Sequence, residues 1–152
     1  MDNTLAIAAY IDSIQRDYPF GIPRSALVAG GHPQLIFIGE VPGALPTEPF
    51  RGPGGELLRA AITKGMKLDL AQVSVIVLPL ADGGSGLALI LKDAHPRCIV
   101  CLGKAGSEAL AGVGEDHGVK DVVVTADLAA VLSSVEAKRA FWEDLKRVIG
   151  IL

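Results

Sequence analysis

The sequence predicts an α/β domain with a three-layer α/β/α arrangement, in which a four-stranded parallel sheet is covered by helices on both faces. Residues 35–38, 73–78, 98–102 and 122–125 are short, nearly continuous apolar runs rich in β-branched residues. Strands buried on both faces read this way, and parallel sheets are built from them. Between and after these runs stand segments of helical periodicity, and strands alternating with helices are the pattern of βαβ units. Finally, 152 residues, half of them hydrophobic, are enough for one core and one domain. No repeat, linker or low-complexity tract divides the chain, so residues 1–152 read as a single unit.

Taken in order, residues 3–17 suit a helix, because Ile7, Ile11, Ile14 and Tyr18 recur on one face. Pro19, Gly21 and Pro23 end it. His32, next to Pro33 in a glycine-rich stretch, reads as a turn residue rather than a catalytic base. The first strand covers about 34–39. A helix follows from about Gly54 to Lys64, burying Leu57, Leu58, Ala61 and Ile62, with Gly65 as its C-terminal cap. The second strand runs from Val73 to Leu78 and ends at Pro79. Residues 82–86 form a glycine-rich loop, and Leu87 to Lys92 a short helix that stops before His95-Pro96. The third strand, 98–102, passes through Gly103 into a helix that reaches Ala111. After the fourth strand, Ser133 and Glu136 have the spacing of a capping box for the last helix. Phe141, Leu145, Val148 and Leu152 make the buried stripe of that helix, and Glu143 and Arg147 an ion pair on it.

Composition narrows the function. The net charge is -3 and the pI near 5.5. Arg16, Arg24, Arg51, Arg59 and Lys64 are scattered, so the chain shows no basic stripe of the kind that bulk phosphate contact requires. A local basic patch is still compatible with this charge. Two cysteines make no disulfide framework. Cys98 and Cys101 have the spacing of a metal clip, but an offset of three on a strand sends them to opposite faces, as core thiols. We expect no metal and no cofactor. No apolar run is long enough to span a membrane, and the start of the chain carries Asp2 rather than a basic signal sequence, so a cytoplasmic location without membrane contact is expected.

The chemistry concentrates after the first strand. Leu35 to Ile38 run into Gly39, then the carboxylate Glu40, then Pro42 and Gly43. In open α/β sheets ligands bind beyond the carboxyl ends of the strands, which is where Glu40 stands. Phe50 follows on the same loop, and an aromatic ring beside a carboxylate suggests a pocket for a flat ligand. The run Gly52-Pro53-Gly54-Gly55 could cradle a phosphate at the helix start or be a plain tight turn. It matches neither the Walker nor the dinucleotide fingerprint.

Gly39-Glu40-Val41-Pro42-Gly43, followed by Pro49-Phe50-Arg51-Gly52-Pro53-Gly54-Gly55-Glu56-Leu57-Leu58, resembles the first motif of the uracil-DNA glycosylase superfamily. It is closest to the iron–sulfur, thermostable branch, with Gly-Glu-x-Pro-Gly and then Pro-Phe-x-Gly-x-x-Gly-x-Leu-Leu. The stretch from Pro96 through Ile99, Val100, Leu102, Gly103 and Lys104 to Ala105 is similar to another part of that family. The resemblance implies a three-layer α/β/α fold, with Glu40 holding the attacking water and Phe50 stacking on a base flipped out of the helix. Gly39, Val41 and Val77 would complete the base-binding set.

The same resemblance marks departures. Where the family reads uracil with an Asn, this chain has Val77, which makes no hydrogen bond. Where the family's late motif begins His-Pro, it has Asp127-Leu128. A carboxylate there accepts hydrogen bonds only, and losing one oxyanion donor typically costs about a hundred- to a thousandfold in rate. The family's four cluster cysteines are not matched, since no Cys precedes Cys98. The loop at 81–86 and the acidic stretch after Gly43 are shorter than the family's. The implied function is therefore a DNA-repair type of domain, a hydrolase of base excision by descent, with impaired uracil chemistry and retained binding of a nucleobase, nucleotide or DNA. The alternatives are an active glycosylase of changed specificity that uses Glu40, Phe50 and a protonated Asp127, and a protein-interaction or structural domain. Each residue also has a plain structural reading: Glu40 as a solvated loop carboxylate, Phe50 as a lid on the core, and Asp127 as the N-cap of the helix after the last strand.

Overall fold

Strand β1, Leu35–Gly39, has no side chain that tolerates water until Glu40, and it is buried along its whole length. In this computed structural model, which describes residues 33–79 and 86–152, β1 lies between β2, Val73–Val77, and β3, Cys98–Leu102. The edge strand β4, Asp121–Thr125, completes a parallel sheet of order β2-β1-β3-β4. The register aligns the strand ends, so that Gly39 stands opposite Val77 on one side and Leu102 on the other. Thr125 continues the row beyond Leu102. The helix expected over 3–17, the turn bearing His32 and residues 80–85 lie outside the described residues.

Alternation along the strands sorts the core into two halves. Leu35, Phe37, Val75 and Val100 face a layer made by α1 (Gly52–Ala60), α4 (Leu128–Ser133) and α5 (Val135–Ile151). Ile36, Ile38, Ile76 and Ile99 face α2 (Leu87–Ala94) and α3 (Gly103–Ala111). This is the expected three-layer α/β/α architecture. Cys98 belongs to the first half and Cys101 to the second, so the two thiols are indeed on opposite faces. On α5 the stripe of Phe141, Leu145 and Val148 is fully buried.

Two close approaches hold the carboxyl edge. A Cβ on Gly106 of α3 would lie 2.1 Å from the Ile38 carbonyl oxygen, so the helix rests directly on the β1 backbone. Gly103, with φ of 71°, lets β3 turn into α3 without a linker.

The structure corrects several local expectations. Helix α1 begins at Gly52 and continues as a π-helical turn, Ala61–Gly65. Gly65 is not the C-terminal cap, because the left-handed residue is Lys67, with φ of 58°. Gly65 is needed because the Trp142 ring occupies the space a Cβ would take, 2.1 Å away. Strand β2 ends at Val77, one residue short of the expected limit, and α2 extends to Ala94. Ser134, not Ser133, caps α5, accepting a hydrogen bond from the Ala137 amide at 3.2 Å. Ser133 is the last residue of α4, and its hydroxyl donates back to the Ala129 carbonyl. Arg147 pairs with Asp144 rather than Glu143, which pairs with Lys146 at 3.2 Å. Residues three apart are helical neighbours as surely as residues four apart, and here the shorter spacing is used. Leu152, expected in the buried stripe, is half-buried at the helix end.

A methyl group at Gly106 must push α3 off β1. Gly106→Ala should therefore lower stability by about 1–3 kcal/mol in urea unfolding, whereas Gly112→Ala, with room for its Cβ, should stay within about 0.5 kcal/mol. Burial raises the Cys98 thiol from 9.0 to about 11, with Asp121 and then Cys101 adding to the effect. Burial alone raises Cys101 to about 11. Both thiols should resist a thiol reagent at pH 8 in the native protein and react once it is unfolded. Unfolded thiols lose their protons near 9.0 while native ones hold them to about 11, so stability should fall as pH rises through that window.

Candidate functional site

The carboxyl edge of a parallel sheet is where connections leave the strands and side chains escape the core. Here β1 delivers Glu40 to the surface, and β2 delivers Val77 and Leu78. The Leu78 amide donates to the Gly39 carbonyl at 2.9 Å, which ties the two exits together. From β4 the chain passes through Ala126 to Asp127, the N-cap of α4. These exits frame a cleft of about 270 Å³ lined by Glu40, Val41, Pro42, Ala44, Val77, Leu78, Asp127 and Ala129.

Three of the residues singled out from sequence, Glu40, Val77 and Asp127, thus come from three different strands to one cleft, with Val41 in its wall. Gly39 sits beneath, where a Cβ would strike Leu102, so its role is to let β1 and β3 meet at the edge. Phe50 is half-buried and packs against the first core half, and it is not among the residues that line the cleft. Its backbone lies on Gly55, where a Cβ would come within 2.3 Å of the Phe50 carbonyl carbon. Leu78 and Ala129 were not anticipated from sequence. Ala129 is the second residue of α4, just inside the Asp127 cap.

The loop between β1 and α1 is closed by its own backbone. Gly43 and Gly52, with φ of 83° and 77°, face each other so closely that a Cβ on either would collide with the other. The Gly54 amide donates to the Pro42 carbonyl at 2.9 Å. The glycines at the start of α1 are therefore used for a tight turn, and one of the amides that a phosphate cradle would need is already engaged. Farther out, Arg51 pairs with Glu48 at 3.0 Å, both exposed.

Two carboxylates provide the polarity of the cleft. Glu40 is exposed and makes no hydrogen bond or ion pair to the other described residues. Asp127 is half-buried, and its Oδ1 accepts from the Ala130 amide at 2.8 Å. The cap bond fixes the side chain at the junction of β4 and α4. Among the described lining residues there is no Lys, Arg or His. His117 is buried elsewhere, its Nδ1 accepting from the Val119 amide at 3.0 Å. Among the described residues no group of three or more His, Cys, Asp or Glu could hold a metal ion. On the same edge, the Thr125 hydroxyl is buried and has no partner among the described residues.

A second hollow, about 420 Å³, lies along the outer side of α1 and brings Arg59 and Lys64 together with Glu56 and Thr63. It gathers two of the scattered cations but receives no strand end. Among the described residues no helix is long and apolar enough to cross a membrane.

Asp127→Ala should cost about 1 kcal/mol of stability through loss of the cap, and Asp127→Asn close to none, as measured by denaturant midpoint. Thr125→Val should raise stability by about 1 kcal/mol or more, because it removes a buried hydroxyl that has no partner among the described residues. The chain matches no protein-family model and no curated protein.

Proposed function

We propose that this chain is a uracil-DNA glycosylase-superfamily domain that is impaired in uracil excision and retains binding of a nucleobase, as the free base, a nucleotide or part of DNA. The observation that carries the reading is the convergence of Glu40, Val77 and Asp127 from three strands on one cleft. Its volume of about 270 Å³ suits a single ring system better than a dinucleotide.

Excision of uracil needs a positioned water, a reader of the base edge and a donor for the departing anion. Glu40 is suited to the first task. Val77 offers only apolar surface for the second. Asp127 offers an acceptor where the third needs a donor, and one of its oxygens is already committed to the helix cap. Phe50 supplies stacking under this reading only if its loop turns the ring toward the cleft, since the ring now packs on the core. Scaffolds commonly outlast the activity they evolved for.

The unpaired carboxylate of Glu40 supports a second reading, a DNA N-glycosylase of changed specificity in which Glu40 orients the water. A cytoplasmic location belongs to both readings.

Oligonucleotides carrying uracil, hypoxanthine, xanthine or an alkylated base separate the two. The leading reading expects no release of uracil above background. Release of uracil that vanishes in Glu40→Ala would overturn it. Release of another base that also vanishes in Glu40→Ala would establish the second reading.

A further inference from the structure

We infer that the cleft selects a positively charged, N-alkylated purine ring over uracil and other neutral bases, with Asp127 setting the preference. The inference rests on the nucleobase-binding reading above and names its ligand class.

The walls of the cleft are apolar: Val41, Pro42, Ala44, Val77, Leu78 and Ala129 can take the faces of a flat ring. Its polar side chains among the described residues are Glu40 and Asp127, and neither is paired with a cation. Carboxylates accept hydrogen bonds and donate none. Uracil presents one ring N–H between two carbonyl oxygens, so a carboxylate set against that edge meets lone pairs on both sides of the single donor. A phosphate brought into the cleft would meet the same repulsion. A purine nucleoside alkylated on a pyridine-type ring nitrogen, such as N1 or N3 of adenine, brings a delocalised positive charge and, on an amino-substituted edge, N–H donors as well. A carboxylate strengthens its hydrogen bond to any N–H donor, and a cationic ring adds to this a direct charge–charge attraction that a neutral base lacks.

Asp127 is the better placed of the two acids to discriminate. It is half-buried while Glu40 is exposed, so its charge is less screened. The bond from the Ala130 amide to Oδ1 holds the side chain before any ligand arrives. No further hydrogen bond or ion pair to Asp127 is made among the described residues, which leaves Oδ2 for a ligand. A neutral amide at this position would keep the helix cap, since Asn caps helices as well as Asp does, and would lose only the charge.

The test is equilibrium binding, by calorimetry on the full chain, of 1-methyladenosine, adenosine, uridine and choline. The first, at neutral pH, is a purine with a positive charge on its edge, the next two are neutral, and the last is a cation without a ring. We expect 1-methyladenosine to bind about tenfold or more tighter than the other three. Asp127→Asn, with an unchanged denaturant midpoint, should reduce that preference to about threefold or less. Equal binding of adenosine or uridine would overturn the charge selection and leave the nucleobase reading standing. Choline binding as tightly as 1-methyladenosine would overturn the purine assignment. Full preference retained in Asp127→Asn would overturn the role of Asp127. No binding of any nucleoside would overturn this inference and the nucleobase reading with it.

Discussion

The central strand has nowhere to put a polar group except at its end. β1 is flanked by β2 and β3 at its edges and by helices on both faces, and Leu35, Ile36, Phe37 and Ile38 are wholly buried. A polar side chain within it would lose its hydration without compensation. Polarity is therefore pushed to the position where the chain emerges, and that position is Glu40. The close contacts of Gly39 with Leu102 and of Gly106 with the Ile38 carbonyl keep the neighbouring strand and helix tight against this exit. The cleft is what remains between that packed edge and the segments that leave β2 and β4.

The sheet was legible in the sequence because each strand is an apolar run bounded by glycine, proline or a charged residue. The bounds of β3 and α3 were read without error, since Cys98 and Gly103 mark sharp changes in pattern. The opposite facing of Cys98 and Cys101 followed from the period of two along a strand. Other details were hidden because they depend on partners distant in sequence. Gly65 looked like a cap, and only the fold brings Trp142 over it. Ser133 and Ser134 are indistinguishable by type, and which of them caps α5 depends on where α4 ends.

The candidate site was legible in part. The strand-end rule located Glu40, the family resemblance marked Val77 and Asp127, and the cleft gathers all three. The dual nature of Asp127 was also foreseeable, since a carboxylate just before a helical run is a natural N-cap. The packing of Phe50 was not, because the loop that carries it is shaped by the facing pair Gly43 and Gly52. An aromatic residue near a strand end reads as a shelf for a ligand until the loop is folded. In the structure it covers the core.

The central claim is that the cleft joining the exits of β1, β2 and β4 is where this chain meets a nucleobase. Amide-resolved NMR titration with nucleosides addresses it most directly. The account predicts shifts concentrated at residues 40–44, 77–78 and 127–129. Shifts confined to the hollow beside α1, at Arg59 and Lys64, or absent from the strand exits altogether, would contradict it.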